Sequence, residues 1–261
     1  MTSISGEAVP RKKIASALER RLGKPIQQFK FWQAMRRFQR EVHAGANEFS
    51  PDLLAELVHS WGNSWSVQHE FLDACLREAR ITDGPILECG SGLSTILLGA
   101  VAQSRGIRMW SLENEGKYAA RVQMYLRKYR INSVTLCVAP LRSFGDFDWY
   151  SLPQLQTIPS KISMVVCDGP PGSTRGGRYG LVPVMMEKMR KDCVVLLDDG
   201  ARAEEQAIAG RWAQLLGASP EIIGSEKPYI RLQAVPAEEQ PLPEAEEAPL
   251  DALDDVTPGN I

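Results

Sequence analysis

Four short apolar runs of this chain each end in acid. Glu88 closes "ILE" and leads into Cys89-Gly90-Ser91-Gly92, and Glu113 closes "MWSLE". Asp168 closes "ISMVVCD" ahead of Gly169-Pro170-Pro171-Gly172, and Asp198 and Asp199 close "CVVLLDD" ahead of Gly200. A single carboxylate after a strand commonly caps the next helix or sits in a solvated turn. Four such ends, one beside a glycine turn, point instead to a ligand site, because open parallel sheets bind ligands beyond the carboxyl ends of their strands. Gly90 and Gly92 allow a tight turn and close approach of a ligand to backbone amides.

The spacing there is Gly-x-Gly-x-x-Thr, with Thr95 where the dinucleotide fingerprint has its third glycine. Glu113 follows Gly92 by 21 residues, at the distance where an acid can accept hydrogen bonds from both hydroxyls of a ribose. These features indicate an adenosine-containing ligand and leave NAD and S-adenosylmethionine open.

Positioning these groups requires alternating strands and helices. Apolar runs predict strands at 85–89, 107–113, 133–138, 162–168 and 193–198, and the stretches between predict helices at 93–104, 116–130, 178–191 and 202–217. Such alternation implies βαβ units and a parallel sheet covered on both faces. "EIIGS" and "YIRLQAV" follow, separated by Glu226, Lys227 and Pro228. Three residues cannot make a parallel crossover, so this pair is expected to be an antiparallel hairpin. Upstream, Pro25 can start a helix with Phe29, Trp32, Met35 and Phe38 at helical spacing, and further helices fit 51–60 and 67–80. The expected organisation is a helical extension over 1–64, an α/β domain over 65–235 and a tail over 236–261.

That tail has five prolines, eight acids (Glu238, Glu239, Glu244, Glu246, Glu247, Asp251, Asp254, Asp255) and no Lys or Arg. Its composition is that of a disordered segment, dispensable for chemistry. The chain holds 32 acids and 30 basic residues; with those eight acids set aside, the rest of the chain has 24 against 30. Five cysteines without metal-ligand spacing fit reduced thiols. "MTSISGEAVPRKK" has no leader-like apolar core, and no run approaches about 18 apolar residues. Cytoplasmic location and no membrane span are expected.

Two features favour S-adenosylmethionine over NAD: an acid such as Glu88 would repel a pyrophosphate, and the antiparallel end suits a seven-stranded methyltransferase sheet. "ILECGSGLST", "SLENE", "VVCDGPPG" and "VLLDDGAR", in this order, resemble a class I S-adenosylmethionine-dependent methyltransferase, specifically a bacterial small-molecule subgroup. The resemblance implies a Rossmann-like seven-stranded sheet, mostly parallel. It implies that Glu88, Gly90 and Gly92 shape the methionine end of the cofactor pocket, that Ser91, Ser94 and Thr95 add contacts, that Glu113 takes the ribose, and that Ala139-Pro140-Leu141 adjoins the adenine. The acceptor is expected to be a small molecule, methylated at oxygen, with Asp168 and Asp199 as catalytic candidates. Asp168-Gly169-Pro170-Pro171-Gly172 departs from the Asn/Asp-Pro-Pro-aromatic motif of amine methylation, which argues against nucleic-acid targets.

In metal-dependent catechol-type enzymes an acid and an Asp-Asn pair at these positions bind magnesium. Here the pair is Asp-Asp, so Mg2+ is admitted but not favoured and the metal ligands stay unknown. Arg175, Arg178 and Arg202 can clamp an anionic acceptor or pair with the aspartates. His69 can cover the pocket as a base or belong to the surface, while Trp61 and Trp65 read as core. A homodimer is left open. The rival readings are an NAD(P)-dependent oxidoreductase and a non-catalytic methyltransferase-fold partner protein.

Overall fold

The computed structural model describes residues 11–46, 48–62 and 69–234, with the side chains of the first helix from Pro25 onward. Three helices come first: α1 (Arg11–His43), α2 (Pro51–Trp61) and α3 (His69–Ile81). Ser50 caps α2, its hydroxyl accepting from the Leu53 amide, with Pro51 at the first turn. Then come β1 (Ile86–Cys89), α4 (Leu93–Ser104), β2 (Met109–Glu113), α5 (Gly116–Lys128) and β3 (Val134–Val138). A small hairpin, β4 (Leu141–Ser143) with β5 (Asp148–Tyr150), and the short α6 (Leu152–Leu155) precede β6 (Ile162–Cys167). The chain continues through α7 (Leu181–Met185), β7 (Met189–Leu197), α8 (Ala203–Leu216), β8 (Ala218–Ile223) and β9 (Tyr229–Ala234).

Seven strands form one sheet of order β3-β2-β1-β6-β7-β9-β8, parallel except for β9, which runs against both neighbours. The expected terminal hairpin is therefore present. Chain order reverses between β1 and β6, and the crevice outside the carboxyl ends of the strands at such a switch point is where open sheets bind ligands. All residues of β1 and β6 are buried, as apolar parallel strands covered on both faces must be. One face packs on α1 to α5 through Ile86, Met109, Met164 and Val166. The other packs on α7, α8 and the β4–β5 hairpin through Leu87, Val165, Trp149 and Trp212.

Three expectations are corrected. Pro25 lies inside α1 instead of starting it. The face of α1 that enters the core carries Phe31, Ala34, Met35, Phe38 and Val42, whereas Phe29 and Trp32 are 56% and 42% exposed and stack on each other. Two apolar stripes on this helix have similar spacing, and contact of Phe31 with Trp61, Tyr125 and Tyr129 selects one of them. The helix expected over 178–191 shrinks to α7 and a 3-10 turn at Met186–Lys188, because β7 reaches back to Met189 beside Ile162. Arg190 on that extension is fixed by ion pairs of 2.6 Å to both Asp83 and Asp192. The tail over 236–261 and Trp65 lie outside the described residues.

Candidate active site

The turns after β1 and β6 touch backbone to backbone. Gly90 has φ +88°, and a Cβ built there would stand 2.9 Å from the Gly169 nitrogen. A Cβ on Gly169 would stand 2.8 Å from the Gly90 Cα and 2.7 Å from the Tyr150 hydroxyl. Both positions therefore require glycine, one for conformation and space and one for space. The contact is locked by the Asp168 and Gly169 amides, which both donate to the Cys89 carbonyl at 2.9 and 2.7 Å. Gly92 differs. Its φ of 178° is ordinary extended backbone, and its amide donates to the Thr95 hydroxyl at 2.8 Å.

Glu113, at the end of β2, adjoins the Gly90 turn. Its Oε2 accepts from the Ser91 amide at 3.2 Å and from the Ser91 hydroxyl at 2.7 Å, and its Oε1 accepts from the Glu115 amide at 2.8 Å. The carboxylate is thus held in place by the turn it adjoins.

Glu88 sits behind the turn and is fully buried. The hydroxyls of Thr95 and Ser111 each donate to its Oε2 at 2.6 Å, while Oε1 has no partner among the described residues. Burial pushes its pKa up to about 7, against the hydrogen bonds from Ser111 and Thr95. Among the described residues no cation offsets the charge, so the fold favours the proton.

At the other end of the crevice, carboxylate oxygens of Asp168, Asp198 and Asp199 lie within 4.8 Å of one another. Arg178, 3% exposed, reaches into them. Its Nη2 donates to Asp168 Oδ1 at 3.1 Å and Asp199 Oδ2 at 3.0 Å, and to the Asp168 carbonyl at 2.9 Å. Its Nη1 donates to the Asp198 carbonyl at 2.9 Å and stands 3.4 Å from Glu205. Arg202 adds a 2.9 Å pair to Asp199. Burial and the neighbouring Asp198 raise the Asp168 pKa well above the usual range despite Arg178. Burial, then Asp199, raises that of Asp198. Burial works against the charge of Arg178, but Asp168 and Glu205 outweigh it and hold its pKa above the ordinary value.

One cleft of about 680 Å³ joins the two ends, lined by Gly90, Ser91 and Glu113 on one side and Asp168, Asp198 and Asp199 on the other. Of the residues singled out from sequence, these six meet there, with Arg178 and Arg202. Glu88, Gly92 and Thr95 stand outside the lining, as do His69, which is exposed, and Ala139-Pro140-Leu141. Arg175 pairs instead with Asp148 at 2.6 Å. Trp61 is core, under the guanidinium of Arg121. Ser111, Glu205, Tyr118 and Lys227 were missed. Ser111 is a polar residue in an otherwise apolar strand, and its register opposite Glu88 turns it into that carboxylate's partner.

The sheet order with one antiparallel strand decides the architecture. The fold is that of the class I methyltransferases. It matches an O-methyltransferase from Bacillus cereus in complex with S-adenosylhomocysteine at TM-score 0.52 and 16% identity, over 71% of this chain and 90% of that one. It also matches an S-adenosylhomocysteine-bound methyltransferase from Podospora anserina at TM-score 0.50 and 14% identity, over 89% and 100% of the two chains. A precorrin-6y C5,15-methyltransferase from Geobacter metallireducens gives TM-score 0.50 and 16% identity over 66% and 93%. No family model and no curated protein matches the sequence.

Proposed function

We propose that this chain is an S-adenosylmethionine-dependent methyltransferase that methylates a small molecule at oxygen, with residues 65–235 carrying the chemistry. The observation that carries the reading is the single cleft linking the Gly90 turn and Glu113 to the Asp168–Asp198–Asp199 cluster. Glu113 suits a ribose, which NAD and S-adenosylmethionine both carry, and Glu88 is enclosed behind the turn, so the preference for a cofactor without phosphate rests on the sheet with its antiparallel β9.

When bound, S-adenosylmethionine supplies an electrophilic methyl group on sulfur. Glu113, held by Ser91, accepts from the ribose hydroxyls, and the open Gly90 turn admits the methionine portion beside the backbone. Glu88 and Thr95 brace the turn from behind. Asp168 and Asp199 hold the acceptor in line with the methyl group. Asp168, fixed by Arg178 and lining the cleft, is placed to orient the acceptor hydroxyl and to take its proton. A proton acceptor at this end favours a hydroxyl over an amine, which needs less help to react. Magnesium is not favoured at the cluster, because Arg178 already bonds both Asp168 and Asp199.

Calorimetry with S-adenosylhomocysteine tests the cofactor assignment. Glu113→Ala is expected to weaken binding by the equivalent of about 1.5–3 kcal/mol for a charge-assisted bond, or about 10- to 150-fold. Because Glu113 also braces Ser91, circular dichroism and Glu113→Gln serve as controls for folding. Unchanged affinity in a folded variant removes Glu113 from the site, and binding of NADH by the wild type overturns the reading.

A further inference from the structure

Away from the cleft, the helical face of α1, α3, α4 and α5 carries a continuous basic track. One groove of about 570 Å³ is lined by Trp32, Arg36 and Arg40 of α1, by Lys128 of α5, and by Tyr129 and Arg130 just beyond it, and no carboxylate lines it. It shares His43 with a second groove of about 740 Å³, where Arg77, Arg80, Arg105 and Arg231 outnumber Glu48 and Glu78. Among the described residues, Arg36, Arg40, Lys128, Arg130 and Arg80 make no ion pair. Arg80 is the clearest case. Its guanidinium lies 4.5 Å from the centre of the Phe49 ring, and its buried Nε and Nη2 have no hydrogen-bond partner among the described residues. Buried donors without acceptors are costly, so the track calls for anionic oxygen.

The same chain holds a matching segment. Residues 234–261 contain eight acids and no Lys or Arg. They begin at the last residue of β9, three residues after Arg231 of the second groove. β9 ends where the parallel strands begin, and the C-terminal ends of α4 and α5, followed by Arg105 and Arg130, lie at that same edge. From β9 to β3 is five strand spacings, or about 24 Å. Residues 235–246 alone, at about 3.3 Å each, reach about 40 Å. A tether of this length gives an effective concentration near millimolar, which an external polyanion has to exceed.

We propose that the acidic segment 235–261 is the resident ligand of this basic track, docking along it from Arg231 toward Arg36, Arg40 and Arg130 and screening it from nucleic acids and other polyanions. The contact is charge pairing along an extended chain. It needs no folded tail, so the proline-broken composition is no obstacle.

The test is zero-length carbodiimide coupling of the full chain, which joins carboxylates to amines, with linked peptides identified by mass spectrometry. A mixture of light and heavy isotope-labelled chains separates links within a chain from links between chains. The expected result is within-chain links from Glu238–Asp255 to Lys128. Their yield should fall at least tenfold between about 50 and about 500 mM salt, as the screening length drops from roughly 14 Å to roughly 4 Å. It should fall at least fivefold in Arg36→Glu/Arg40→Glu/Arg130→Glu. If that variant does not fold, the salt series on the wild type still decides. No link to Lys128, a yield indifferent to salt, or links only between chains overturns the proposal. So does a single-stranded RNA that protects Lys128 from acetylation in a chain whose tail forms no link.

Discussion

Glu88 on β1 and Asp168 just past β6 belong to neighbouring strands, yet the chain meets their buried charge by different means. Around Glu88 there are hydroxyls: Thr95 and Ser111 bond one oxygen, and no guanidinium or ammonium reaches the other among the described residues. Around Asp168 there is Arg178, itself buried, which bonds two aspartates and stands near Glu205. Hydroxyls cannot neutralise a carboxylate, so Glu88 rises to about 7 and draws a proton. A guanidinium offsets part of such a charge, so several acids crowd at the second location, where burial still raises the pKa of Asp168 and Asp198. One arrangement is a neutral brace behind a turn. The other is a charged floor under the acceptor end of the cleft.

Removing the cation should break the comparison most severely. Arg178→Met leaves Asp168, Asp199 and Glu205 without their shared partner in a site where that partner is 3% exposed. A loss of about 3–5 kcal/mol of unfolding free energy at pH 7 is expected, read by urea denaturation. The loss should shrink toward pH 5 as the orphaned acids take up protons. Arg178→Lys, which keeps the charge but not the fork of donors, should fall between. A loss below about 1 kcal/mol for Arg178→Met would show that the acids hold their own protons and that Arg178 is incidental.

A smaller effect is expected from Glu88→Gln. A carboxyl whose folded pKa is raised binds its proton more tightly in the fold than in the unfolded chain. Its contribution is therefore fully present below the unfolded pKa of 4.5 and is lost as pH rises through about 7. The wild type should thus lose stability between about pH 5 and pH 7.5, and the glutamine variant should lose less. At pH 8 the variant is expected to be more stable by roughly 1–3 kcal/mol, the linkage gain less what is lost in the hydroxyl bonds. Parallel stability–pH curves for the two proteins would place the ionised form of Glu88 on a partner after all.

Much of this contrast was within reach of the sequence, and the part that was not has a physical reason. Acids at the ends of apolar runs located the rim, and the boundaries of α4 over 93–104 followed from its glycine start and polar end. What escaped depends on pairing between distant residues. Ser111 meets Glu88 only through parallel register, which periodicity does not contain. Arg178 read equally well as an acceptor clamp or as a partner of the aspartates, and packing with Glu205 of α8 made it a partner. The core face of α1 was decided by Trp61 and Tyr125, not by its own spacing.

The smallest effect is expected from removing metal. Asp168, Asp198 and Asp199 offer oxygen ligands that suit a divalent cation, and their atoms are close enough to share one. The oxygens that would face the ion, however, already accept from Arg178 at 3.0–3.1 Å and from Arg202 at 2.9 Å. A divalent ion would have to displace a buried guanidinium whose pKa these same acids hold up. Exhaustive treatment with EDTA is therefore expected to leave the melting temperature and the affinity for S-adenosylhomocysteine unchanged, and added magnesium should restore nothing because nothing was lost. Indifference to chelation keeps Asp168 as the group that orients the acceptor and takes its proton. Loss with EDTA and recovery with magnesium would make the three aspartates metal ligands and would collapse the contrast between the hydroxyl-bound Glu88 and the arginine-bridged aspartates.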